Sequence, residues 1–211
     1  MDRQVVHSDC YGPLCFGGDI CRRMAKHARR YEVKLAIFSK GGTLNTTVSG
    51  EPFLRHPHEQ ALLPGVAKGL AAMAATDGDL MFAITSNQQG LISGDNSMLK
   101  AVETEMLYYL DLLPPGIIAR CYFCSEDGLS VWGGDWRGFV ALPPPTTHKE
   151  VRYQAPEPGM LLLAMQEAQI NDRSNVIFIG DRPEDEQAAA AAGVAFQWSS
   201  HWRSQYIGAR D

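Results

Sequence analysis

The sequence lacks an apolar run long enough to cross a membrane, and it lacks an even set of cysteines. Five cysteines among 211 residues do not favour a disulfide framework, so a reducing, cytoplasmic location fits better. The first ten residues, MDRQVVHSDC, carry acids and no apolar segment, so we expect no signal peptide. The formal charge of −5 does not indicate a general nucleic-acid binder. We therefore expect a cytoplasmic protein that does not enter membranes.

Apolar runs alternate with amphipathic stretches along most of the chain. We predict strands at 34–38, 80–85, 117–123, 176–179 and 194–196. Helices are predicted before, between and after them, at 18–32, 62–78, 95–112 and 158–169 and in the alanine-rich segment after 185. Segments 51–60 and 125–150 are predicted to be loops. Strands that alternate with helices form right-handed βαβ units, so the pattern predicts a three-layer, Rossmann-like α/β fold with a mainly parallel sheet.

Three polar loops follow predicted strands, at 39–44, 86–90 and 180–185. Ligands of parallel sheets bind beyond the carboxyl ends of the strands, so these loops are expected to meet there. In the second loop, Ser86 and Asn87 offer a hydroxyl, an amide and backbone N–H groups that suit a phosphate oxygen. An ordinary turn is the alternative for these two residues.

The third loop carries two aspartates, Asp181 and Asp185, spaced four apart at the start of a helix. Two carboxylates one turn apart suit Mg²⁺, which binds a few oxygens and keeps several waters. A helix N-terminus also favours acids without any metal, and spacing alone does not separate the two interpretations.

The first loop, in the stretch AIFSKGGTLN, follows a buried strand as an active-site loop would, but it lacks the side chains that usually carry out catalysis. An apolar strand leads into Ser39, Lys40, Gly41 and Gly42, with no carboxylate, histidine or cysteine. A serine hydroxyl needs a base to become a nucleophile, and a glycine cannot donate a proton.

Together the loops resemble the haloacid dehalogenase (HAD) superfamily of Mg²⁺-dependent phosphatases. The stretches that carry the resemblance are GGTLN, LLPGV, TSNQQG, APEPGMLL and IGDRPEDEQAAAAAG, within residues 34–198. The most similar group is the subfamily III type that contains histidinol-phosphate phosphatase, heptose-bisphosphate phosphatase and the polynucleotide 3′-phosphatases. The resemblance implies the fold predicted above. The segments between the motif loops are too short for a large cap domain, with only about 40 residues between the first and second loops, so we expect an open cleft.

The resemblance also implies roles that this chain does not fill. Ser39 stands where the family has its nucleophilic aspartate, Gly41 where it has the acid/base aspartate, and Ala155 where it has a lysine. Gly41 could still offer its backbone carbonyl to the metal beside Asp181 and Asp185. Because one of the family's ligating carboxylates is missing at Ser39, we expect Mg²⁺ to bind only weakly. The sequence thus predicts a pseudo-phosphatase that acts by binding a partner. The alternative is a weak or rewired Mg²⁺-dependent phosphohydrolase acting on a monoester such as a polynucleotide 3′-phosphate.

Zinc is not expected, because no complete set of four ligands is visible. Cys121 and Cys124 form a C-x-x-C with His148 as a third candidate, but the family's partner cysteines are missing. A second set has looser spacing than most zinc modules; its members are His7, Cys10, Cys15 and Cys21.

The segment before the recognised motifs carries a positive charge. Residues 1–34 hold seven Lys/Arg and four Asp/Glu, a net of +3, and the remainder holds 12 and 20, a net of −8. We divide the chain into an N-terminal arm and basic helix at 1–33, a HAD-like domain at 34–200 and a tail at 201–211. We expect a protein partner; a nucleic acid is the alternative, through the basic residues Arg22, Arg23, Lys26, Arg29 and Arg30.

Overall fold

The computed structural model describes residues 33–51, 54–76, 78–143 and 152–208. From Val33 onward the chain forms one compact unit. The predicted basic helix, the N-terminal cysteines and His148 lie outside the described residues. Among those that are described, no helix has the length and apolar character needed to span a membrane.

Nine strands, five α-helices and a short 3-10 helix at Arg173–Asn175 make up the regular structure of the described residues. The strands are β1 Leu35–Ser39, β2 Asn45–Thr47, β3 Gln60–Leu62, β4 Met81–Asn87, β5 Ala119–Cys124, β6 Val131–Asp135, β7 Gly138–Ala141, β8 Val176–Gly180 and β9 Ala195–Trp198. The helices are α1 Val66–Thr76, α2 Asn96–Asp111, α3 Gly159–Glu167, α4 Pro183–Ala192 and α5 Ser199–Ser204.

Seven strands form one sheet in the order β7-β6-β5-β4-β1-β8-β9. The five strands from β5 to β9 in this order are parallel, and β6 and β7 extend one edge as an antiparallel hairpin. A parallel sheet with helices on both faces is a Rossmann-like α/β fold, so the predicted fold class is confirmed.

Strand β1 shows how the sequence builds the three layers. Its side chains alternate between the two faces of the sheet. Leu35 and Ile37 pack into the cluster formed with α3 and α4, whereas Ala36 and Phe38 pack into the cluster formed with α1, α2 and α5. Because both faces are covered, the strand is apolar from Leu35 to Phe38, as expected for a central parallel strand.

Three predicted segments differ from the structure. The loop predicted at 51–60 ends in β3, which pairs with β2 as a small antiparallel hairpin. The loop predicted at 125–150 contains the β6–β7 hairpin. The tail predicted at 201–211 contains most of α5, where Trp202 packs 5.0 Å from the ring of Phe38.

The sequence pattern does not predict the β6–β7 hairpin, because two glycines interrupt the apolar residues of β6. A Cβ on Gly133 would lie 2.4 Å from Leu142, and one on Gly134 would lie 2.1 Å from the carbonyl oxygen of Gly138. Glycine is therefore required for close packing in β6, although it weakens the pattern by which a strand is predicted.

Candidate phosphate and metal site

The three polar loops do meet at the carboxyl edge of the sheet. Strand β1 ends at Ser39, which lies opposite Thr85 of β4, and Phe38 lies opposite Ile179 of β8. All the predicted site residues line one cleft of about 770 Å³; they are Ser39, Gly41, Ser86, Asn87, Ala155, Asp181 and Asp185.

The first loop contacts both carboxylate oxygens of Asp181. Thr43 donates its hydroxyl to Oδ1 of Asp181 at 2.9 Å. Gly42 has a φ of 75°, and a Cβ there would fall 2.2 Å from Oδ2 of Asp181. The first loop therefore requires glycine at 42 to fit around the carboxylate.

Asp185 lies in the first turn of α4, and its side chain caps the backbone at the start of that helix. Its Oδ2 accepts hydrogen bonds from the backbone N–H groups of Asp181 at 3.1 Å and Arg182 at 3.2 Å. Burial raises the pKa of this carboxyl to about 6, against the lowering effect of those two hydrogen bonds. Both bonds go to Oδ2, so Oδ1 is the oxygen that could face a metal ion.

This donor set fits Mg²⁺ as one or two carboxylates, with waters and a ligand phosphate completing the shell. The described residues contain no cluster of three or more His, Cys, Asp or Glu side chains that could hold a metal by themselves. Asp181, Asp185 and the carbonyl of Gly41 would hold the ion, which would supply positive charge to a bound phosphate. Metal binding here stays a prediction, and the capping role of Asp185 is what the structure shows.

The two positions that lack carboxylates have room for them. Gly41 is exposed, and a Cβ on it would meet no atom within 4 Å. Ser39 is half-buried at the end of β1. Neither the space nor the backbone conformation excludes an aspartate at 41, so its absence is a property of the sequence and not a demand of the fold.

The second loop connects to the segment before α3. Oδ1 of Asn87 accepts a hydrogen bond from the backbone N–H of Ala155 at 3.3 Å, and the Cys124 thiol lies 3.7 Å from the same oxygen. Ser86 accepts a hydrogen bond from Nε2 of Gln88 at 3.0 Å. Asn87 therefore positions Ala155 at the cleft, and the amide nitrogen of Asn87 is the group that could reach a phosphate.

The C-x-x-C pair cannot form one metal site. Cys121 and Cys124 lie in β5 and point to opposite faces of the sheet, into the two separate clusters. Burial also raises the pKa of each thiol to about 12, which disfavours the thiolate that zinc binds.

The four tryptophans divide into two pairs. Trp132 and Trp202 are buried, at 8% and 3% exposure, and serve the core. Trp136 and Trp198 are exposed, at 67% and 39%.

Sequence reasoning missed a buried polar network beside the cleft. The ammonium group of Lys40, in the first loop, forms an ion pair with Glu105 of α2. Glu105 is 65 residues away, so no local pattern could have found the pair. The one available signal is the position of Lys40, directly after a strand that is buried on both faces.

Comparison with known protein families gives a match over part of the chain. A family model described as HAD-hydrolase-like matches residues 153–198, which include Ala155, Asp181 and Asp185. No curated protein matches the chain. The C-terminal part of the fold therefore has the sequence signature of HAD-like hydrolases.

Several solved structures have a similar fold. One is a structure from Bacteroides fragilis described as a haloacid dehalogenase-like hydrolase. It is 13% identical to this chain, the similarity covers 83% of this chain and 94% of that chain, and the TM-score is 0.49. A structure from Lactobacillus plantarum titled as a phosphoglycolate phosphatase is 17% identical, over 82% and 88%, with a TM-score of 0.47. A HAD-superfamily subfamily IA hydrolase from Geobacter sulfurreducens is 14% identical, over 78% and 85%, with a TM-score of 0.43. These similarities are distant, and the Rossmann-like α/β fold is defined by the strand order and pairing described above.

Proposed function

We propose that the cleft binds a phosphate monoester, with Mg²⁺, and does not cleave it through a phospho-aspartate. The proposal rests on one observation: the third loop keeps its two aspartates, whereas the first loop has no carboxylate. Asp181 and Asp185 are held by specific contacts, while Ser39 and Gly41 offer no carboxylate. The chain would then be a pseudo-phosphatase whose role is recognition.

Charge supports binding without turnover. A carboxylate at 39 or 41 would repel a phosphate dianion unless a metal ion neutralised it. A serine hydroxyl at 39 would donate a hydrogen bond to a phosphate oxygen. Losing the proton donor removes a contribution to catalysis that is typically about 10²–10⁴-fold. The absence of carboxylates at 39 and 41 therefore lowers the rate of turnover far more than it lowers the affinity for phosphate.

The ligand is proposed to be part of a large molecule, because the cleft is open. Between β1 and β4 the described residues form only the β2–β3 hairpin and α1, and between β5 and β8 only the β6–β7 hairpin, α3 and a short 3-10 helix at Arg173–Asn175. In the described part of the chain nothing forms a cap domain. A phosphorylated protein is the partner we favour, and a 3′-phosphorylated nucleic acid end is the alternative.

A second candidate function is a weak Mg²⁺-dependent phosphohydrolase. The observation that favours it is the same pair of aspartates, since a metal held there could activate water directly. The subfamily III resemblance, and with it a polynucleotide 3′-phosphate as substrate, belongs to this candidate.

One experiment separates the two candidates. Phosphate release would be measured with Mg²⁺ on a 3′-phosphorylated oligonucleotide, histidinol phosphate and an aryl phosphate, and binding of inorganic phosphate would be measured by calorimetry. Asp181→Asn is the matched control, since it keeps the shape of the side chain. Binding without release above that control supports the pseudo-phosphatase. Release that disappears in Asp181→Asn supports the enzyme, and neither binding nor release contradicts both.

A further inference from the structure

A buried polar network joins the first loop to two other elements beside the cleft. Lys40, whose side chain is 4% exposed, pairs with Glu105 of α2 and lies 5.4 Å from the ring centroid of Tyr109. The backbone carbonyl of Glu105 accepts a hydrogen bond from Nε2 of Gln60 at 3.0 Å. Gln60 in turn accepts one from Nδ2 of Asn45 at 2.6 Å. We call Lys40, Glu105, Gln60 and Asn45 the brace; they connect the first loop, α2 and the β2–β3 hairpin.

The backbone of Lys40 is fixed as firmly as its side chain. Its N–H donates to the carbonyl of Thr85 at 2.9 Å, and its own carbonyl accepts from the N–H groups of Leu44 at 3.0 Å and Asn45 at 3.2 Å. Lys40 lies between Ser39 and Gly41. Whatever fixes Lys40 therefore fixes the hydroxyl and the carbonyl that the proposed site needs.

Stability does not by itself explain this arrangement. Taking an ion pair out of water offsets most of its Coulomb attraction, so an apolar pair of similar size would serve a core as well. The brace also leaves Oδ1 of Asn45 buried without a hydrogen-bond partner among the described residues, which is unfavourable. Lys40, Asn45 and Glu105 all line the cleft. A buried polar network that does not favour folding, placed beside the cleft, indicates that its residues serve to position neighbouring groups of the site.

We propose that Lys40 is a positioning residue, which through the brace holds the carbonyl of Gly41 and the β2–β3 hairpin at the cleft. It touches neither phosphate nor metal in this role. The effect on ligand binding rests on the proposed function, whereas the effect on the hairpin does not.

The test uses charge-removing and charge-keeping variants of the full chain. Lys40→Met removes the ammonium group and Lys40→Arg keeps a cation. Lys40→Met/Glu105→Met removes the pair without leaving a buried charge unpaired, in case Lys40→Met fails to fold. Arg120→Met is the matched control, because Arg120 forms a 2.9 Å ion pair with Glu167 of α3, on the other face of the sheet.

Two readouts are measured beside the melting temperature. Hydrogen exchange reports on Asn45–Thr47 and Gln60–Leu62, and calorimetry with Mg²⁺ reports the affinity for inorganic phosphate. We expect the double variant to melt near the wild type, yet to exchange faster in both strands and to bind phosphate roughly tenfold more weakly, since small misplacements of positioning groups have effects of this order. Lys40→Arg should keep most of the wild type's protection from exchange and most of its affinity for phosphate.

Unchanged exchange in the double variant would overturn the proposal, as would a loss of affinity that merely follows melting temperature and is matched by Arg120→Met. If the wild type binds no phosphate, the proposed function fails. The exchange measurement then still decides whether the brace holds the hairpin.

Discussion

At the scale of single residues, Gly41 and Ser39 decide what the cleft can do. Since a Cβ at 41 would meet no atom within 4 Å, the fold can accept the aspartate that this loop lacks. We expect Ser39→Asp/Gly41→Asp to gain Mg²⁺-dependent hydrolysis of an aryl phosphate. The gain should be at least about 10²-fold over the wild type, because both a nucleophile and a proton donor are supplied.

The same double change in an Asp181→Asn background is the control for this gain. Activity that persists there would come from a contaminant or from chemistry outside the cleft. No gain in a variant that folds and binds Mg²⁺ would contradict the expectation that carboxylates at 39 and 41 are enough to restore measurable turnover while Ala155 stays in place.

Asp185 gives a prediction for pH. Burial raises its pKa from 3.8 to about 6 in the folded protein. Between these two values the folded chain binds more protons than the unfolded chain, so its stability falls as pH rises through about 4 to 6 and is level above. Asp185→Asn keeps an oxygen for the two backbone N–H groups. It should therefore raise the free energy of unfolding by roughly 2 kcal/mol at pH 7.5 without metal.

Urea unfolding at several pH values checks this prediction, with Glu186→Gln, an exposed neighbour, as the control. The difference from wild type should vanish below about pH 4. With Mg²⁺ added at pH 7.5, the wild type and Glu186→Gln should be stabilised and Asp185→Asn should not. A variant that is less stable than wild type at pH 7.5 without metal would show that the charge of Asp185 is favourable at the helix start.

At the scale of elements, the β6–β7 hairpin depends on its glycines. A Cβ on Gly134 would lie 2.1 Å from the carbonyl oxygen of Gly138, and a backbone atom cannot rotate away. We expect Gly134→Ala to lower the free energy of unfolding by roughly 2–3 kcal/mol in urea. Gly78→Ala, which meets nothing within 4 Å, should stay within about 0.5 kcal/mol. Equal midpoints for the two variants would mean that the hairpin adjusts freely.

These elements also show how far a sequence specifies this fold. Strands such as β1 and β8 are continuous apolar runs, and the Asp95 cap of α2 is a local signal, since its side chain accepts from Ser97 and Met98. Such features depend on neighbours in sequence and could be predicted. The glycine-interrupted hairpin, the Lys40–Glu105 pair and the separation of Cys121 from Cys124 across the sheet depend on distant contacts. The sequence alone therefore could not supply them.

At the scale of the whole molecule, charge is divided between two parts of the chain. Residues 1–34 carry a net of +3 and the remainder a net of −8, so the larger part repels nucleic acid. An oligonucleotide that binds must then use the basic N-terminal segment. Phosphate contacts release counterions, and each contact adds about 0.7 to the slope of log affinity against log salt for a single strand.

We therefore expect Arg22→Gln/Arg23→Gln to weaken binding of a 3′-phosphorylated oligonucleotide and to reduce that slope by roughly one. Fluorescence anisotropy over a range of salt concentrations measures both. Lys100→Gln/Arg137→Gln removes the same charge from exposed positions of the larger part and should leave the slope unchanged. If both double variants reduce the slope equally, net charge alone governs binding. If the wild type binds no oligonucleotide at low salt, the nucleic-acid alternative fails and a phosphorylated protein remains as the proposed partner.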